Sequence, residues 1–166
     1  AKKLAEESGG INLDQYDNPE NPKGFYNTMG KEINEQVPDA DYLIGTIGTG
    51  SSLSGSGRYL KEHNNKLKII ALEPKGSSHF SPHGHGYFIS GPGYPAGAIL
   101  PKNIDIKLMD KNDYVSDKEA FNTMRFFAEH KGLMVGDSSG MVLYYAMKFV
   151  KEKPISNKIN KVVLII

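Results

Sequence analysis

The apolar positions of this chain follow two different spacings. Short continuous apolar runs, Tyr42-Leu43-Ile44, Leu67 to Leu72 interrupted only by Lys68, and Val162-Val163-Leu164-Ile165-Ile166, are bounded by glycine, proline or charged residues. Runs of that length are the mark of strands covered on both faces. Elsewhere apolar residues recur three or four apart, as in Phe25, Met29 and Ile33, or Tyr145 and Phe149, which share a helical face. Taken in order, these spacings predict a helix end over 1–8 stopped by Gly9-Gly10, a short strand over 11–16, and a turn at Asn18-Pro19 and Asn21-Pro22. A helix over 24–36, a strand over 41–46, a helix over 53–63 and a strand over 67–73 follow. The remainder reads as a strand over 106–109, a helix over 116–130, a short strand over 133–135, a helix over 138–152 and a strand over 162–166.

Strands that alternate with helices imply an α/β fold, a three-layer arrangement with a parallel sheet between helices. In such sheets ligands sit at the carboxyl ends of the strands. Three glycine-rich connections, 48–52, 91–97 and 136–140, are predicted to converge there. The stretch 75–101, rich in Gly, Pro, Ser and His, is long enough to expect a functional loop or lid.

Composition narrows the classes. A chain of 166 residues suits one domain, with a second only as a fragment. Lys and Arg total 20 against 19 Asp and Glu, a net charge of +1, so nothing electrostatic invites nucleic acid or an anionic membrane. The absence of cysteine fits a cytoplasmic protein. The charged start Ala1-Lys2-Lys3-Leu4-Ala5-Glu6-Glu7 lacks the apolar core of a signal peptide. With no initiating methionine and a buried-strand pattern at the last residue, the chain reads as part of a longer protein.

Two segments carry chemistry. From Tyr42 to Gly55 the pattern is strand, turn, helix, with Gly48, Thr49, Gly50, Ser51 and Ser52 in the turn. Glycines let the backbone approach an anion, and the free N–H groups of a helix start, with three hydroxyls, supply donors for a phosphate. A bare strand-to-helix turn is the plain alternative. A dinucleotide site is another, since Gly48-x-Gly50 and Glu73 are spaced for one, but its third glycine position holds Leu53. The second segment is Gly136-Asp137-Ser138-Ser139-Gly140. Ser138 or Asp137 would cap a helix. Gly136-x-Ser138-x-Gly140 also matches a hydrolase nucleophile turn, yet no Asp or His follows from Met141 to Ile166 to complete a triad. A third use for Ser138 is a hydrogen bond to a heterocyclic nitrogen of a cofactor. His79, His83 and His85 cluster without an acid between Pro74 and Asn103, so no metal site is expected. His63 and His130 sit where helix C-termini are predicted.

Four segments in order resemble the cysteine synthase and cystathionine β-synthase family of pyridoxal-phosphate enzymes. They are Gln15-Tyr16-Asp17-Asn18-Pro19-Glu20-Asn21-Pro22 with Gly30-Lys31-Glu32-Ile33, the turn and helix from Gly48 to Lys61 with Ile70-Ala71-Leu72-Glu73-Pro74, the loop Gly91-Pro92-Gly93-Tyr94, and the run Gly132 to Gly140. The resemblance implies the tryptophan synthase β-like (fold type II) architecture, with 1–16 the tail of a smaller N-terminal domain and 17–166 the larger cofactor-holding domain. It implies that Gly48, Thr49, Gly50, Ser51 and Ser52 hold the phosphate of pyridoxal 5'-phosphate and that Ser138 bonds its pyridine nitrogen. Gln15 and the backbone at Gly91 and Gly93 would face a small amino-acid substrate, and a thiol or sulfide would be the second reactant. A homodimer is implied as well. The implied reaction is β-replacement or β-elimination on serine- or cysteine-type amino acids: cysteine or cystathionine synthesis, or sulfide release from cysteine. The family's cofactor-binding lysine is expected upstream of Ala1, and no lysine here stands in that motif. Ser51 replaces a usual glycine, Asp137 stands where a neutral residue is common, and Pro95-Ala96-Gly97 extends the glycine loop.

Overall fold

The computed structural model describes residues 1–79, 84–152 and 161–166. Four strands form one parallel sheet, β1 (Tyr42–Thr46), β2 (Lys68–Pro74), β3 (Lys111–Val115) and β4 (Val162–Leu164), in the order β3-β2-β1-β4. Among the described residues six helices accompany them: α1 (Lys2–Ser8), α2 (Glu20–Asn27), α3 (Met29–Gln36), α4 (Ser51–His63), α5 (Asp117–Lys131) and α6 (Asp137–Glu152). The side-chain alternation of the two central strands divides the core in two. Leu43, Ile69 and Ala71 pack with Leu53, Leu60 and Leu67 on the α4 side, while Ile44, Ile70 and Leu72 pack with Ala120, Met141, Val142 and Tyr145 on the α5–α6 side. Both faces of the central pair are dry, which is why β1 and β2 read as unbroken apolar runs.

Chain order and sheet order part company at β1. The chain runs outward from β1 through β2 to β3, then returns by α5 and α6 to place β4 on the opposite side of β1. The reversal leaves a crevice at the carboxyl ends of β1 and β4, the position where open α/β sheets bind ligands. The turn 47–50 leads straight out of β1 into that crevice.

Several predicted elements differ. Residues 11–16 form no strand, and Ile11 and Leu13 lie exposed. The predicted helix over 24–36 is two helices. The first begins at Glu20, taking Asn21-Pro22 into its opening turn, and the break falls at Thr28, whose φ of −117° and ψ of −88° are not helical. Residues 106–108 are a single 3₁₀ turn rather than a strand, started by the Asp105 side chain accepting from the Lys107 N–H. The strand lies instead at β3, and 133–135 is irregular. His83 lies outside the described residues. His63 and His130 each place Nδ1 on a carbonyl four residues back, Tyr59 at 2.8 Å and Phe126 at 3.1 Å, as helix C-termini favour.

Candidate functional site

The strand β1 ends in Thr46-Ile47-Gly48-Thr49-Gly50, and α4 starts at Ser51. Gly50 has φ +80°, and a Cβ there would stand 2.2 Å from Ile104 Cγ1 and 3.0 Å from its Cα, so this glycine is required by geometry and by packing. A Cβ on Gly48 would meet the Gly91 carbonyl at 3.0 Å. Among the described residues, the N–H groups of Gly48, Thr49, Gly50 and Ser52 donate to no backbone or side-chain acceptor. The Thr49 hydroxyl lies 3.3 Å from that of Ser51 and 3.4 Å from the Ser51 N–H. A helix start with that many unused donors is a ready anion cradle, and α4 adds the positive end of its dipole.

The loop 90–94 crosses this cradle. Gly93 donates its N–H to the Ile47 carbonyl at 2.7 Å. On its other flank, Ser90 donates its N–H to Asp137 Oδ2 at 2.9 Å and its hydroxyl to the same carboxylate at 2.9 and 3.1 Å. Asp137 opens α6 and also accepts the Ser138 N–H at 2.7 Å. Burial pushes the Asp137 carboxyl up, but the Ser90 and Ser138 donors outweigh it and hold it below the ordinary carboxylate value. The three glycine-bearing connections therefore meet. Gly91 and Gly93 both have positive φ, 90° and 87°, and a Cβ on Gly93 would lie 2.6 Å from the Tyr87 hydroxyl oxygen.

Gln15 is tied to this region by its backbone. Its carbonyl accepts from the side-chain amides of Asn21 at 2.7 Å and buried Asn103 at 2.9 Å. Its neighbour Tyr16 meets Tyr94 edge to face, with ring centroids 5.8 Å apart. Beneath the loop, Ser77 accepts the Tyr94 N–H at 3.0 Å, and the His79 ring stands 4.4 Å from that of Tyr94 and 3.4 Å from the carboxylate of the fully buried Glu73. Burial raises the Tyr94 hydroxyl well above its ordinary value, with Tyr16 adding to the shift. Sequence reasoning missed Ser90 and Asp117. The Asp117 carboxylate accepts the N–H groups of Phe88 and Ile89 at 3.0 and 3.1 Å. An acid at a helix start was legible in the sequence, but a reach back of 28 or 29 residues was not.

The whole chain, residues 1–166, matches the family described as "Pyridoxal-phosphate dependent enzyme". The chain belongs to that family. Among curated relatives, the cystathionine beta-synthase of Apis mellifera is 39% identical over 161 residues, covering 93% of this chain and 31% of the relative. Cysteine synthase A of Escherichia coli is 37% identical over 161 residues, covering 92% and 49%. A hydrogen sulfide-producing enzyme from Fusobacterium nucleatum superposes with a TM-score of 0.88 at 30% identity, covering 98% of this chain and 55% of that one. An O-acetylserine dependent cystathionine beta-synthase from Helicobacter pylori gives 0.85 at 31%, covering 98% and 52%. The architecture is the fold type II arrangement of these enzymes. The chain spans half or less of the length of these curated relatives.

The residues fit the family's cofactor. Unused N–H donors with the Thr49 and Ser52 hydroxyls suit a phosphate, and the Ser138 hydroxyl, which bonds no described residue, suits a ring nitrogen.

Proposed function

We propose that the protein containing this chain carries out pyridoxal-phosphate-dependent β-replacement or β-elimination on serine- or cysteine-type amino acids. The products in this reading are cysteine, cystathionine or released sulfide, with a thiol or sulfide as second reactant. The observation that carries the reading is the meeting of the donor-rich turn 48–52, the glycine loop and the start of α6 in one crevice. When bound, the cofactor's contribution is to stabilise negative charge at the substrate α-carbon so that a β-substituent can leave. In this assignment Gly48, Thr49, Gly50, Ser51 and Ser52 bind the phosphate. Ser138 donates to the ring nitrogen as a neutral partner, which keeps the ring less electron-withdrawing than an acid would and favours elimination over other fates of the α-carbon charge. Gln15 orients the substrate carboxylate, and the peptide groups at Gly91 and Gly93 line the substrate. Residues 17–166 are the larger domain and 1–16 the tail of the smaller one. The protein works as a homodimer in the cytoplasm.

The test uses the full-length protein: cofactor absorbance first, then thiol-dependent β-replacement on an activated serine. The expected result is bound cofactor and a β-substituted alanine product. Full-length protein that takes up no cofactor, with a fluorophosphonate probe labelling Ser138, would overturn the reading.

A further inference from the structure

Asp137 is the first residue of α6, but its carboxylate serves a segment 47 positions earlier. It takes two donors from Ser90, the N–H and the hydroxyl, and a third from the Ser138 N–H. Ser90 leads directly into Gly91-Pro92-Gly93. The far end of that tripeptide is fixed independently, by the Gly93 N–H on the Ile47 carbonyl. The loop is thus a short bridge with one anchor on the phosphate turn and the other on the helix that carries Ser138. Upstream, Asp117 holds the N–H groups of Phe88 and Ile89 in the same way, so the approach to the bridge is fixed too. A serine or asparagine at this first position of α6 could accept the Ser138 N–H as aspartate does. What the carboxylate adds is two oxygens that accept three donors at once, strengthened by full negative charge at the helix's positive end.

We propose that Asp137 is the positioning residue of the substrate loop: by tying Ser90 to the first turn of α6, it fixes how far the backbone of residues 91–93 stands from Ser138 and so sets the fit of the amino-acid substrate. The proposal rests on the functional reading above, in which loop peptide groups rather than side chains face the substrate. Placement of that backbone, not its composition, then decides how tightly a given amino acid is held.

The experiment compares the full-length holoenzyme with Asp137→Asn and Ser90→Ala. Asparagine keeps an oxygen for the Ser138 N–H but turns an amide N–H₂ toward a donor of Ser90. Three quantities are read: hydrogen exchange of the segment 88–93, cofactor retention on dialysis, and KM against kcat. Asp137→Asn should speed exchange of that segment roughly tenfold, the loss expected of one charge-assisted hydrogen bond. It should raise KM for the amino-acid substrate by a similar factor, leaving kcat within about threefold and cofactor retention unchanged. Ser90→Ala, which keeps the backbone bond, should raise KM less, and the double variant should match Asp137→Asn, because both changes strike one contact. Faster exchange with an unchanged KM would reduce Asp137 to a structural tie of the loop to α6 and overturn the proposal. So would unchanged exchange, or loss of cofactor in place of the KM effect. A wild-type protein without cofactor would overturn the functional reading itself, and that is scored before any variant is compared.

Discussion

Ser138 and Asp110 mark the two kinds of polar residue that matter here, one at the site and one in the frame. Ser138 has a hydroxyl free of described partners beside a carboxylate that is fully engaged with Ser90. Ser138→Ala in the full-length protein should keep the cofactor and lose only part of the rate, since one neutral hydrogen bond contributes about 0.5–1.5 kcal/mol net. Ser138→Asp should do more damage, because a carboxylate changes the protonation of a ring nitrogen it faces. Cofactor absorbance and kcat measured together check both. Asp110 instead ties α4 to the sheet: it accepts Lys61 Nζ at 2.7 Å, Lys68 Nζ at 2.9 Å and the Ile69 N–H at 2.9 Å. Burial pushes its carboxyl up, but Lys61, Ile69 and Lys68 together bring it down to about 2. A folded-state value below the unfolded one means the contribution is complete above the ordinary value of 3.8 and is lost as pH falls toward about 2. Asp110→Asn should therefore lower stability at neutral pH by roughly 1–2 kcal/mol, a figure kept small because Lys68 is half exposed. Its denaturation midpoint should also change less than the wild type's between pH 4 and pH 2. An equal acid response in the two proteins would show that Asp110 is not the group titrating.

At the scale of elements, the β1–turn–α4 unit joins packing and binding in one stretch, and substitutions can separate the two. Gly50→Ala must place a methyl group against the Ile104 backbone at φ +80°, which should cost about 2–4 kcal/mol of stability by overpacking and left-handed strain. Thr49→Ala with Ser52→Ala touches no core residue. It should leave the melting temperature of cofactor-free protein nearly unchanged while weakening cofactor retention by roughly 1–3 kcal/mol. If the two variants gave the same pattern, the turn would be a packing motif only. The unit was legible in the sequence because its strand is buried on both faces and its glycines are compulsory. β3 was not, because it is an edge strand whose Lys111-Asn112-Asp113-Tyr114 run is mostly exposed, and edges are kept polar. The neighbouring Ile106 and Leu108 drew the strand prediction, yet the Asp105 side chain turns that segment into a 3₁₀ loop. The break at Thr28 was hidden in the same way: its hydroxyl bonds back to the Gly24 carbonyl at 2.9 Å inside an apolar pattern that runs on unbroken. In the site, the glycine-rich strand-to-helix turn with its unused donors could be read from local sequence. The carboxylates of Asp117 and Asp137 that place the loop act across 28 to 47 residues, a distance no local pattern encodes.

For the whole molecule, the reversal of strand order at β1 decides where chemistry can occur. Crossovers that leave a strand to opposite sides hold the helices apart at one end, and both the α4 start and the α6 start open toward that gap. The cofactor reading implies a lysine as well as a phosphate cradle, no lysine of this chain stands in the motif that the family resemblance calls for, and several are engaged elsewhere. Lys61 and Lys68 pair with Asp110, Lys102 with Asp17, Lys111 with Asp113 and Lys161 with Asp39. Lys111 is held further by the Asp113 carboxylate and the Tyr145 hydroxyl, which raise it above the ordinary lysine value and keep it protonated, the wrong state for a nucleophilic amine. The attachment lysine is therefore predicted to lie outside residues 1–166, in the part of the protein that the length of the relatives leaves room for. Borohydride treatment of the full-length holoenzyme, followed by peptide mapping, should locate a reduced cofactor–lysine adduct on a peptide from beyond this chain. The isolated chain treated in the same way should give no specific adduct, even at cofactor concentrations that fill the phosphate turn. A single modified lysine within residues 1–166 would overturn this division of labour, because the crevice would then contain both halves of the cofactor's attachment.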